Sequence, residues 1–138
     1  MRDLTKYRLE RSAEFLDESK MLLENGSFKG SINRSYYTIF TAVRALLAEK
    51  EVDFKKHSAV ISYFRREYVR PEMFDKKFSD YIGNAFRFRN NSDYADFFIV
   101  SREEAETQYN NAAEFYEAVK KYLENLGNAT EKISSADA

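Results

Sequence analysis

The chain of 138 residues is long enough for one domain with its own hydrophobic core. It carries 22 basic and 23 acidic side chains, and this balance argues against a protein devoted to non-specific nucleic-acid binding. The absence of cysteine excludes disulfides and thiol catalysis, and no apolar run approaches the ~20 residues that span a bilayer. Because the N-terminus also lacks the features of a signal peptide, we expect a cytoplasmic protein that does not enter a membrane.

The first helix is predicted over residues 4–24, where apolar side chains recur at spacings of three, four and seven. Asn25 and Gly26 follow it, and both residue types tolerate the left-handed backbone at a helix end. Ser27 is placed to cap the next helix with its side chain. The sequence therefore predicts a tight connection between two antiparallel helices.

The second helix, over residues 28–50, has the widest apolar face in the sequence. Its central stripe consists of Ile32, Tyr36, Ile39, Val43 and Leu46. Tyr36 is therefore predicted to lie in the core. Asn33 and Tyr37 belong to a flanking stripe, where Tyr37 either packs in the core or offers a surface for base stacking.

A short helix begins near His57, after a linker over residues 51–56. His57 is the only histidine and lies on the apolar face of that helix. One interpretation is that it fixes the helix end through a hydrogen bond to backbone. The other is that it titrates in a cleft, since its ordinary pKa near 6.5 suits acid–base chemistry.

A further helix is predicted over residues 72–92, with Pro71 at its first turn. Residues 94–100 have no helical period and include four consecutive apolar side chains. Ser101 and Glu104 have the spacing of a capping box, which predicts the start of the last helix.

Gly127 is expected to end the last helix, and residues 128–138 are expected to form a disordered tail. Residues 1–127 would then fold as an all-α, antiparallel four-helix up-and-down bundle with an extra short helix. Wide apolar stripes joined by mostly short connections favour this architecture.

Polar side chains are concentrated where the fourth long segment ends. Arg87, Arg89, Asn90, Asp93 and Tyr94 all lie within eight residues. Arg89 and Asp93 are four residues apart, so they either form an intrahelical ion pair or present a planar guanidinium to a phosphate. In the second case we expect Arg89 to lie at a cleft, near Asn33, Tyr37 or His57.

Several classes of site are absent from the sequence. A di-iron bundle needs Glu-x-x-His pairs, and His57 is not part of one. Phosphate-binding glycine loops and the Gly-x-Ser-x-Gly nucleophile motif are missing too. We therefore predict no metal and no cofactor.

Residues 31–47 (SINRSYYTIFTAVRALL) resemble the second helix of HEPN domains, the higher eukaryote and prokaryote nucleotide-binding family. Residues 56–62 (KHSAVIS), 89–94 (RNNSDY) and 100–106 (VSREEAE) resemble its UPF0332-like branch. The likeness extends over residues 4–126. It implies a compact antiparallel bundle, often a homodimer, that works beside a minimal nucleotidyltransferase in a toxin–antitoxin-like pair.

Many HEPN proteins are metal-independent RNases, with an arginine followed by a histidine after four to six residues. This sequence has no histidine at either spacing from Arg87 or Arg89. We therefore expect a module that binds nucleotide or RNA phosphate through Arg89, with Arg87, Asn90, Asn33 and Tyr37 nearby, rather than an enzyme. Two alternatives remain. One is a metal-independent RNase toxin, with candidate catalytic residues Arg89, Asp93, Tyr94 and His57; the other is a structural partner without a ligand.

Overall fold

The computed structural model describes the backbone of residues 1–94 and 96–137, and the side chains of these residues except Tyr94 and residues 130–137. These residues form five α-helices and no strand. The helices are α1 (Asp3–Glu24), α2 (Phe28–Glu49), α3 (His57–Phe64), α4 (Lys77–Tyr94) and α5 (Arg102–Asp137). A π-helical turn, Arg65–Val69, extends α3. The predicted all-α bundle of four long helices and one short helix is confirmed, and no helix within the described ranges is long and apolar enough to cross a membrane.

Helices α1 and α2 pack antiparallel through small polar side chains. The hydroxyl of Ser12 donates to the carbonyl of Thr38 at 2.6 Å, and Ser19 and Ser35 share a hydrogen bond of 2.7 Å. All four side chains are fully buried. Because serine and threonine are small, the two backbones approach closely, and the buried hydroxyls still find partners. Apolar periodicity did not reveal this contact, since the buried residues of α1 are mostly polar.

Helix α2 is the central element and contacts each of the other four helices. Its predicted stripe is buried as expected, and Tyr36, Ile39, Val43 and Leu46 have no exposed surface. Phe64 of α3 and Phe115 of α5 complete the core, with ring centroids 5.2 Å apart. Burial of such large apolar side chains supplies most of the driving force for folding.

The predicted helix ends have mixed outcomes. Gly26 has a φ of +79°, as the left-handed stop after α1 requires. Ser27 precedes α2, but its side chain makes no capping hydrogen bond, so that prediction is wrong. The capping box is confirmed, because the hydroxyl of Ser101 accepts from the amide of Glu104, whose carboxylate accepts from the Ser101 amide, both at 3.1 Å.

Helix α4 begins five residues later than predicted. Pro71 lies in a turn, where the amide of Phe74 bonds back to the carbonyl of Tyr68 at 3.0 Å and Glu72 has a φ of +64°. The buried ring of Phe74 thus holds this segment against α3. Helix α4 then begins at Lys77, whose amide donates to the side chain of Asp75.

Helix α5 continues through Gly127. Gly127 lacks the left-handed backbone of a helix end, and glycine inside a helix costs only about 1 kcal/mol relative to alanine. The predicted stop at this residue is therefore wrong. The division into a bundle over residues 1–127 and a disordered tail stays a prediction.

Candidate functional site

Arg89 of α4 reaches across the bundle to α2. Its Nη2 donates to the hydroxyl of Tyr37 at 3.1 Å, and its Nε lies 2.9 Å from a carboxylate oxygen of Asp93 one turn later in the same helix. The side chain of Arg89 is 17% exposed and that of Asp93 is 32% exposed. The four-residue spacing thus gives the ion pair, and the packing of α4 on α2 gives the contact with Tyr37.

Aromatic rings form one wall beside this guanidinium. Its central carbon lies 5.7 Å from the ring centroid of Tyr36 and 5.6 Å from that of Tyr37. Both distances fall in the range of cation–π attraction. Nη1 also donates to the side-chain oxygen of Asn90 at 3.3 Å. Arg89 is therefore held in one orientation by groups from two helices.

His57 lies at the start of α3 and meets the same pair of tyrosines. Its Nδ1 is 2.8 Å from the hydroxyl of Tyr36, and its ring centroid is 6.3 Å from that of Tyr37. Burial raises the pKa of Tyr36 far above its ordinary value, so the phenol keeps its proton, and the tautomer of His57 sets whether that phenol donates to Nδ1 or accepts from it. Where the phenol donates, the proton of the neutral imidazole is on Nε2.

The environment keeps His57 neutral. Burial lowers the pKa of His57 below 6.5, and the positive charges of Arg89 and Arg44 lower it further. The ring also stacks on Phe40, with centroids 4.1 Å apart. His57 thus hydrogen-bonds to a side chain where a backbone partner was one interpretation, and its role as a titrating group in a cleft stays a prediction.

The other predicted site residues have different surroundings. Arg87 is exposed and donates to the side-chain oxygen of Asn84 at 3.1 Å. Asn33 lies one turn before Tyr37 and accepts from Arg34. The side chain of Tyr94 lies outside the described residues, so its predicted role stays a prediction. The structure thus brings Asp93, Asn90 and Tyr37 to Arg89, and it brings His57 to the adjacent Tyr36.

A neighbouring cavity of about 490 Å³ was not predicted. It is lined by Phe40, Arg44, Asp53, Phe54, Lys55 and His57. Tyr36, Phe40 and Arg44 follow one another at four-residue spacing along α2, so the sequence alone indicated that they share one helix face. The linker residues carry no periodicity, and their position depends on tertiary contacts.

The described side chains contain no group of three or more His, Asp or Glu residues arranged to hold a metal ion. The chemistry available near Arg89 is that of a cation paired with the carboxylate of Asp93, together with phenols and one neutral imidazole. Such a set can bind an anion through charge-assisted hydrogen bonds.

Comparison with known proteins identifies the relatives of this chain. The HEPN domain family matches residues 5–122. A UPF0332 protein of Thermotoga maritima is 32% identical over 126 residues, which cover 91% of this chain and 96% of that protein. A protein of Methanocaldococcus jannaschii named "Putative toxin" is 33% identical over 122 residues, which cover 88% of this chain and 82% of its own length. The chain belongs to the HEPN domain family.

Proposed function

We propose that this protein is the HEPN member of a toxin–antitoxin-like pair and that it binds the phosphate of RNA or of a nucleotide through Arg89. The observation that carries the proposal is the guanidinium of Arg89, held by Asp93 and Tyr37 across two helices. The name "Putative toxin" of two similar archaeal proteins supports the toxin–antitoxin setting.

A guanidinium suits phosphate better than an ammonium, because its planar fork matches two phosphate oxygens. Asp93 and Tyr37 restrict the rotamers of Arg89 before any ligand arrives, which lowers the entropy cost of binding. Partial exposure also leaves this cation accessible to a ligand at the end of α4.

The same residues favour binding over catalysis. At the spacing of the HEPN RNase motif, Arg87 is followed by Ser92, Asp93 and Tyr94, and none of these is a histidine. His57 is nearby, but its Nδ1 is hydrogen-bonded to the buried hydroxyl of Tyr36 at 2.8 Å. In the tautomer with Nδ1 as the acceptor, His57 has no free nitrogen lone pair with which to remove a proton from a substrate.

An RNase toxin is the second candidate function. The positions of His57 and Arg89 favour this function, because the imidazole and the guanidinium both lie beside Tyr37. Purified protein incubated with total cellular RNA in the absence of metal separates the two candidates. We expect the RNA to stay intact; cleavage that disappears in His57→Ala would establish the RNase function instead.

Titration of a fluorescent single-stranded RNA tests the binding function. Replacing Arg89 with methionine keeps the side-chain length and removes the charge, so affinity should fall about tenfold or more. Arg89→Lys should restore only part of this affinity, since lysine lacks the fork. The matched control is Arg66→Met, because Arg66 is an exposed arginine outside the proposed site.

Thermal unfolding of the same variants distinguishes binding from a purely structural role. If Arg89→Met unfolds the protein and the wild type binds neither RNA nor nucleotide, Arg89 is a structural clamp. The third possibility, a structural partner without a ligand, would then hold.

The proposal includes a homodimer and a nucleotidyltransferase partner. Phe97 and Ile99 support a protein–protein contact, since 97% and 85% of their surfaces are exposed. Light scattering should give a mass twice the 16.2 kDa of one chain. Purification from the native cell should recover a nucleotidyltransferase, and its absence from the purified complex would argue against that partner.

A further inference from the structure

We infer that the cavity between α2, the linker before α3 and the first turn of α3 is a second binding site, whose ligand is a phosphate group attached to a flat ring. The ligand class is that of a nucleoside monophosphate, free or at the phosphorylated end of an RNA. The inference goes beyond the proposed function, because Arg89 does not line this cavity.

The size and shape of the cavity fit a small ligand. Its volume of about 490 Å³ lies within the 300–1,000 Å³ that is typical of small-molecule sites. Its walls combine two phenyl rings with three nitrogen-bearing side chains. This mixture of apolar surface and a few converging polar groups is the usual composition of a ligand site.

The charge of the cavity favours an anion. Arg44 and Lys55 are positive, and Asp53 is the only acidic residue among the six lining residues. One oxygen of Asp53 accepts from both Arg44 at 3.0 Å and Arg8 at 3.1 Å, and the other accepts from the amide of Phe54 at 2.9 Å. This exposed carboxylate is therefore paired with two arginines, which reduces its repulsion of a phosphate.

Arg44 supplies an observation that is independent of the cavity itself. Its Nε is buried and donates to no group among the described residues, although Nη2 is bound to Asp53. Buried N–H groups are rarely left without an acceptor. The Arg44 side chain as a whole is 36% exposed, so a rotation of its guanidinium would bring this N–H to a phosphate oxygen in the cavity, and the flexible, exposed Lys55 can approach the same anion.

The rings favour a flat group attached to that phosphate. Phe54 is 38% exposed at the cavity, and the ring of Tyr63 lies beside it at a centroid distance of 5.5 Å. Phe40 is buried and stacked on His57, so it forms the floor rather than an open face. An exposed phenyl beside cations is a stacking surface of the kind that binds nucleic-acid bases.

Calorimetric titration with adenosine monophosphate tests the inference on the intact protein. Adenosine and ribose phosphate are the partial probes, and each should bind at least about tenfold more weakly because each lacks one half of the recognised chemistry. Failure of adenosine monophosphate to bind, or equal affinity for adenosine, would overturn the inference.

Two neighbouring lysines provide a matched pair of variants. Lys55→Met should weaken binding of adenosine monophosphate about tenfold, whereas Lys56→Met should leave it unchanged, because only Lys55 lines the cavity. Both side chains are exposed, so neither change threatens the fold. Equal effects of the two variants would contradict the site.

A variant at Arg89 separates the two sites. Binding of adenosine monophosphate should survive in Arg89→Met, and its loss there would place the nucleotide at Arg89 and refute a second site. Competition with a short RNA distinguishes the two sources of ligand. If only the 5′-phosphorylated form displaces the nucleotide, the site takes RNA ends; if neither form does, it takes free nucleotides.

Discussion

The hydrogen bond between Tyr36 and His57 offers a test of how the candidate site is assembled. Tyr36→Phe removes one hydroxyl and almost no volume from a side chain with no exposed surface. The hydroxyl bonds only to Nδ1 of His57 among the described contacts, at 2.8 Å. The change therefore removes one neutral hydrogen bond without creating a large cavity.

The expected loss of stability is modest. A neutral hydrogen bond contributes about 0.5–1.5 kcal/mol net, and water can reach the partly exposed His57 in place of the lost donor. We expect the free energy of unfolding to fall by about 1 kcal/mol, which lowers Tm by roughly 3 °C for a chain of this size.

The pH dependence carries the sharper information. Because the pKa of His57 is lowered in the folded protein, the unfolded chain binds its proton at higher pH. The free energy of unfolding should therefore be constant above the ordinary pKa of 6.5 and decrease as pH falls from there toward the folded pKa. If the hydroxyl of Tyr36 donates to Nδ1, this bond favours the neutral imidazole, so Tyr36→Phe should raise the pKa of His57 and shrink the decrease.

Urea unfolding at about pH 7.5 and about pH 5.5 measures the decrease for the wild type, Tyr36→Phe and the non-titrating control His57→Gln. The sequence has one histidine, so the imidazole resonances in an NMR titration report its pKa directly. If the pKa of His57 is the same in the wild type and in Tyr36→Phe, the hydroxyl does not stabilise the neutral ring. His57 would then be able to act as a base.

Three further substitutions test the fold. Phe115→Ala removes a fully buried ring that packs on Phe64. Urea unfolding should show that the free energy of unfolding falls by about 3–5 kcal/mol. A loss below about 1 kcal/mol would mean that the core is not packed this way. Ser19→Ala should cost about 1–3 kcal/mol because its hydroxyl serves Ser31 and Ser35 inside the α1–α2 contact, and the exposed control Lys20→Ala should cost almost nothing. Asp53→Asn should lower the free energy of unfolding by under about 1 kcal/mol for each of its ion pairs, because the carboxylate is exposed. Burial raises the pKa of Asp53, but hydrogen bonds from Arg44, the Phe54 amide and Arg8 outweigh it and lower that pKa. The wild type should therefore lose the stability of these ion pairs only as pH falls below 3.8 toward the lowered pKa. An acid unfolding profile of Asp53→Asn identical to that of the wild type would contradict the ion pairs.

The helices and the family were predictable because their signals are local. A helix face repeats every three to four residues, and the capping box joins Ser101 and Glu104 within one turn. The same locality explains why the pairing of Arg89 with Asp93 could be proposed from spacing alone. By contrast, the start of α4 depends on a hydrogen bond from Phe74 to Tyr68 and on the burial of the Phe74 ring, and neither has a periodic pattern.

The candidate site required tertiary structure. Tyr37 and Arg89 are 52 residues apart, and their contact exists because α2 and α4 pack side by side. Tyr36 was predicted to be a core residue from its stripe, but periodicity cannot tell which side chain its hydroxyl will meet. The cavity between Arg44 and Lys55 depends on a linker fixed by the ion pairs of Asp53. Local spacing thus decided which side chains share a helix face, and the packing of distant segments decided which of those faces meet.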